Sequence, residues 1–175
     1  MELTLGECLK IAKDHTQEVE RLTELRKDAA FVVHDKGELI EEPEQSVEEL
    51  TDRINELNER VRVLRQVVAY YNLNTKLDIY LDSGRQIVLA EGITLLGQLL
   101  KERGEIGKLI SEPKTKRSRA PFGSATEYVS TTFDREKAQK YARTLDKEIR
   151  ALRLAIDRAN INTVVEVPDE IMADV

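Results

Sequence analysis

Tryptophan is absent and aromatic residues make up only 5% of the 175-residue chain, which leaves few bulky anchors for a thick globular core. The single cysteine, Cys8, excludes an intrachain disulfide framework. A lone thiol on a helix reads as a small core residue in a reducing compartment. No stretch approaches the ~20 apolar residues that a membrane-spanning helix requires. The opening segment, Met1 to Lys10, lacks the basic-then-apolar order of a secretory signal, so a cytoplasmic protein is the expectation. Catalytic signatures are missing too: there is no Ser-His-Asp order, no HExxH, no P-loop and no GxGxxG. Cys8 and His15 stand two helical turns apart, too far to share a metal, and His34 follows beyond the helix. Neither an enzyme, a metal site nor a cofactor is expected. The net charge of −6 argues against general nucleic-acid binding.

What is present is charge, at 34% of residues, with Leu, Ile, Val and Ala at intervals. This is the composition of long helices and coiled coils. Thr4 and Glu7 form a capping-box pattern that opens a helix over about 4–30, with Leu5, Leu9, Ala12, Val19 and Leu22 at helical spacing. Ser46 and Glu49 repeat the pattern ahead of a second helix over about 46–74. Its apolar positions, from Val47 and Leu50 through Ile54, Leu57, Val61, Leu64 and Val68 to Tyr71, alternate steps of three and four. That 3.5-residue repeat is the geometry of a coiled-coil seam. The charged residues between them, Arg53, Glu56, Arg60 and Arg62 included, read as a solvated face.

A helix over about 134–162, with Asp134 as N-cap, carries the same alternation from Ala138 to Ala159. The helix over about 89–111 is less regular. Ala90, Ile93, Leu96 and Leu100 form its stripe, and Gly104 and Gly107 call for a bend or a close helix contact to offset about 1 kcal/mol each. Leu77, Ile79 and Leu81, a turn at Asp82-Ser-Gly84 and the return through Gln86 predict a small β-hairpin over about 76–88. The fold class is therefore mainly α, with long antiparallel helices, coiled-coil heptads and a β-hairpin connection, in a single helical domain over 1–175.

Several segments resemble the septicolysin-like family of bacterial helical coiled-coil proteins, nearly end to end. They include the Met1-Glu-Leu start, the run from Gln17 to Leu22, Glu41-Glu-Pro43, Asn72 with Asn74-Thr75, and Leu81-Asp-Ser-Gly84. Later come Tyr128-Val-Ser-Thr131, Asp134, Leu145-Asp146, Arg150 and Asn160, while Ile161 stands where the family often has an aromatic residue. The resemblance implies a helical oligomer and carries no established biochemical function.

Two connections stand out chemically. The acidic loop at 34–45 holds Asp35, Glu38, Glu41, Glu42 and Glu44. The basic loop at 112–133 is a long segment without assigned structure, and it holds Lys114, Lys116, Arg117 and Arg119. Guanidinium forks and ammonium groups recognise phosphate. Thr131 and Thr132 precede a helix N-terminus, where free amides favour an anion. Asn72 joins them as a hydrogen-bonding candidate, while Asn at helix ends also suits a left-handed cap. The expectation is a non-catalytic homo-oligomer that holds or sequesters a phosphorylated, nucleotide-type small molecule at a subunit junction, without membrane or general nucleic-acid binding. The alternative is a structural adaptor that engages a protein partner, its basic loop only neutralising the acidic one.

Overall fold

In the computed structural model the described residues are 1–34, 36–37, 43–80, 84–118, 127–168 and 171. Four helices carry the chain: α1 (Leu5–Ala29), α2 (Val47–Asn74), α3 (Leu89–Ser111) and α4 (Arg135–Asn162). Three antiparallel strand pairs punctuate them: β1 (Glu2–Thr4) with β6 (Val164–Glu166), β2 (Lys76–Tyr80) with β3 (Gln86–Val88), and β4 (Thr115–Ser118) with β5 (Glu127–Ser130). The protein is thus mainly α. It divides into two compact units, Met1–Lys76 with Arg158–Val175, and Leu77–Asp157.

In the first unit α1 and α2 form an antiparallel hairpin. Both capping boxes are complete: Thr4 and Glu7 satisfy each other's ends in α1, and Ser46 and Glu49 do so in α2. Each reciprocal cap satisfies two amides that the first helical turn would otherwise leave without partners. The seam of α2 is buried from Leu50 through Ile54, Leu57, Val61 and Leu64 to Val68. Leu22 of α1 packs with Leu50, Ile54 and Leu57. Arg60 departs from the solvated face assigned to it. Only 6% of it is exposed, and its guanidinium donates to Glu56 Oε1 at 2.7 Å. A long aliphatic stem lets such a residue lie along an apolar seam while its head finds a carboxylate.

The β1–β6 pair ties the chain ends together, with Leu3 opposite Val165, both buried. Met1 and Val167 exchange backbone bonds at 3.0 Å. The helix-terminal asparagines do not use left-handed caps, because no non-glycine described residue has a positive φ. Instead α2 runs into β2 through an extended Thr75, whose amide donates to Tyr71 O at 2.8 Å.

In the second unit α3 and α4 run antiparallel, linked by Arg103 Nε to Asp146 Oδ1 at 2.8 Å. Ala142, Leu145, Ile149, Leu152 and Ile156 of α4 are buried at the expected spacing. On α3 the inner face matches half of the predicted stripe. Leu89 and Gly92 are buried and Ala90, Leu95, Leu96 and Leu99 half-buried, whereas Ile93 is 46% and Leu100 41% exposed. This helix is apolar around much of its circumference, so periodicity alone did not select the face. Among the described residues, a methyl group placed at Gly104 meets nothing within 4 Å, and one at Gly107 meets only the Arg103 side chain of the same helix. No neighbouring helix closes on either glycine.

Candidate functional site

The described residues of the basic connection include a two-stranded ribbon, where the sequence offered no assigned structure. Thr115 pairs with Ser130, Lys116 with Val129 and Arg117 with Tyr128. Side chains alternate between the faces of a strand, so Thr115, Arg117, Tyr128 and Ser130 share one face. The Thr115 and Ser130 hydroxyls lie 3.2 Å apart there. Lys116 and Val129 occupy the other face. Every β5 residue is exposed, Tyr128 to 65%. The closely spaced cations hid the strand in the sequence. The β-favouring residues that remain, Thr115, Tyr128 and Val129, form no long alternating run.

Five of the seven predicted ligand residues lie on this ribbon or at its foot, with Lys116 and Arg117 on opposite faces. Lys114, Thr131 and Thr132 stand at the foot, where the Thr131 amide donates to Lys114 O at 2.9 Å. Arg119 lies outside the described residues, as do Asp35, Glu38, Glu41 and Glu42 of the acidic loop. Asn72 belongs to the other unit, where it lines a furrow between α1 and α2.

Two features of the ribbon's foot bear on anion binding, the second of them the Asp134 cap expected from the sequence. Lys116 Nζ lies 2.9 Å from Glu112 Oε2, a pair with both side chains about half exposed. Such an exposed ion pair contributes little stability and yields readily to a competing anion. The α4 terminus is already capped, because Asp134 Oδ1 accepts from the Glu136 and Lys137 amides at 3.0 and 3.1 Å. That carboxylate satisfies the amides which an anion would have used and places negative charge beside them. The groups left at the ribbon to meet an anion are therefore its side chains and not the helix end. The Arg135 guanidinium donates to the Glu112 carbonyl and holds the two connecting segments together.

Two other titratable candidates, Cys8 and His15, lie on α1. Cys8 is fully buried, and burial followed by the neighbouring Glu7 charge pushes its thiol pKa up. His15 faces Arg60 and Arg53 of α2, and burial with the Arg60 charge lowers its pKa. No cluster of three or more potential metal ligands occurs among the described residues. Within the same bounds, no helix is long and apolar enough to cross a membrane.

No family model matches the chain. A crystal structure of a functionally unknown conserved protein from Corynebacterium diphtheriae is similar, with a TM-score of 0.70 and 22% identity over 95% of this chain and 100% of that one. That likeness shows the fold alone. The isoleucine–tRNA ligase of Haloquadratum walsbyi is 33% identical over 98 residues, which are 54% of this chain. The chain spans 9% of that enzyme's length.

Proposed function

We propose that the protein is a non-catalytic, cytoplasmic homo-oligomer that holds a phosphorylated small molecule at a junction between copies. The observation behind this reading is the β4–β5 ribbon, which carries Arg117 on one face and Lys116 on the other, with Lys114, Thr131 and Thr132 at its foot. Arg117 supplies a planar fork for two phosphate oxygens, and the lysines supply mobile point charges. A ribbon exposed on both faces cannot enclose a ligand, whereas small-molecule sites bury most of their ligand's surface. A second copy closing over the ribbon resolves that mismatch. The septicolysin-like resemblance, which implies an oligomer, is in keeping with assembly.

Thermal melting with a panel of nucleotides and sugar phosphates tests this reading. A ligand at a hundred times its Kd adds about 2.7 kcal/mol to stability, and Arg117→Ala should abolish the resulting rise. Absence of a shift for every compound, together with an unchanged Arg117→Ala melt, would reject it.

A second reading is an adaptor that engages a protein through a helix face. It draws on the exposed Ile93 and Leu100 of α3. A partner that protects α3 from hydrogen exchange, with the ribbon unaffected, would favour it.

A further inference from the structure

Most cations of the α1–α2 hairpin have a carboxylate three or four residues away on the same helix; Lys13, Arg26 and Arg65 do not, and of these Arg26 donates instead to the Thr51 hydroxyl at 3.1 Å. Arg21 pairs with Glu18 at 2.8 Å, Lys27 with Glu24 at 2.6 Å and Arg60 with Glu56 at 2.7 Å, each through a carboxylate three or four residues away on the same helix. Lys13 has Leu9, Lys10, Thr16 and Gln17 at those positions. Arg65 has Val61, Arg62, Val68 and Ala69. Neither makes an ion pair among the described residues, although the chain carries 33 acidic side chains.

The hairpin register brings these two cations to one furrow of ≈ 630 Å³. Its floor is apolar and low, made by Ala12 and Val68, which are buried, with Leu9 and Ala69 beside them. Its rim carries Lys13 and Gln17 from α1 and Arg65 and Asn72 from α2. The Thr16 hydroxyl in the wall is already committed to Ala12 O at 2.7 Å. Glu20 is the furrow's one carboxylate, and it lies seven residues, about 10 Å, along α1 from Lys13. Like charges without a counter-ion oppose folding, so the arrangement favours a ligand that supplies the missing negative charge.

We propose that this furrow is a second ligand site, separate from the ribbon, for a phosphate monoester with a compact apolar body. A phosphate monoester carries roughly −1.5 to −2 charge at neutral pH, which matches two cations. Gln17 and Asn72 supply amide donors for its oxygens, and the alanine floor admits a flat apolar group between the helices. The site does not depend on the ribbon reading, and either can fail alone.

Calorimetric titration of the full-length protein with phenyl phosphate, and with inorganic phosphate for comparison, tests the proposal. Phenyl phosphate should bind at least about tenfold more tightly than inorganic phosphate, because only the former covers the apolar floor. Arg65→Gln and Lys13→Glu should each weaken it about tenfold or more, as loss of a charged hydrogen bond predicts. Lys147→Gln, at an exposed position of α4 outside both sites, should leave it unchanged. Lys13→Glu should also melt no lower than the parent, since it places a carboxylate in the same furrow as Arg65. Equal affinity for the two phosphates, an unaltered affinity in Arg65→Gln, or no heat of binding at about 10 mM phenyl phosphate would overturn the assignment.

Discussion

Replacing Gly97 and Gly104 with alanine should stabilise the protein, and the size of the gain follows from their surroundings. Both sit within α3, and a methyl group at either position meets no atom within 4 Å among the described residues. The change is therefore one of helix propensity alone, worth about 0.8–1 kcal/mol per site. The two positions are seven residues, about 10 Å, apart along the helix axis, far enough for their effects to add. The double variant should gain about 2 kcal/mol, which raises Tm by about 4–8 °C in a chain of this length. Gly92→Ala is the internal control with the opposite sign. Its methyl group would press into Leu77 Cδ1 and come within 3.5 Å of Leu152 Cδ1. Leu77 is 1% exposed and has little room to retreat, so overpacking should cost about 1–3 kcal/mol. Circular dichroism melts of the three proteins decide the matter. A fall in Tm for Gly97→Ala with Gly104→Ala would refute the reasoning, since it would mean that another surface packs against those glycines in solution.

Three further outcomes follow. Leu64, fully buried at the α1–α2 seam, should cost about 2–5 kcal/mol on truncation to alanine, read as a shift in denaturant midpoint with unchanged slope. His15 is held neutral by burial and by Arg60, so its pKa lies below the ordinary 6.5. Its contribution is complete above that value and lost as pH falls through the folded pKa. Stability should therefore decline on acidification from pH 6.5, and His15→Gln should flatten that decline while leaving the neutral-pH slope alone. Glu7 and Glu49 are held below 4.5 chiefly by their bonds to the Thr4 and Ser46 amides. A second loss should begin below pH 4.5, and Thr4→Ala or Ser46→Ala should cost about 1 kcal/mol at neutral pH.

The legibility of the fold tracked how unambiguous each pattern was. The α2 seam and both capping boxes were readable because apolar spacing and cap chemistry agreed. The inward face of α3 was only half legible: Ala90 and Leu96 of the stripe are half-buried, whereas Ile93 and Leu100 give way to Leu95 and Leu99 around one helix. Arg60 looked solvated because charge suggests exposure, yet its stem fits the hairpin seam and Glu56 receives its head. The β1–β6 pair rests on strands of three residues, too short for a period-two signal, and its register joins opposite ends of the sequence. At the candidate site, the cations themselves were visible but their ribbon was not. The capping role of Asp134 was read as a helix signal without its consequence, that the helix end is already satisfied. Lys13 and Arg65 could each be seen to lack a carboxylate at helical spacing. Only the hairpin register shows that they share a furrow.

The most direct test of the central claim is native mass spectrometry of freshly purified protein. The account predicts a multiple of the 20.0 kDa chain carrying a phosphorylated small molecule, with that added mass lost in Arg117→Ala. A single-chain mass at every concentration, with no retained ligand in the parent, would contradict it.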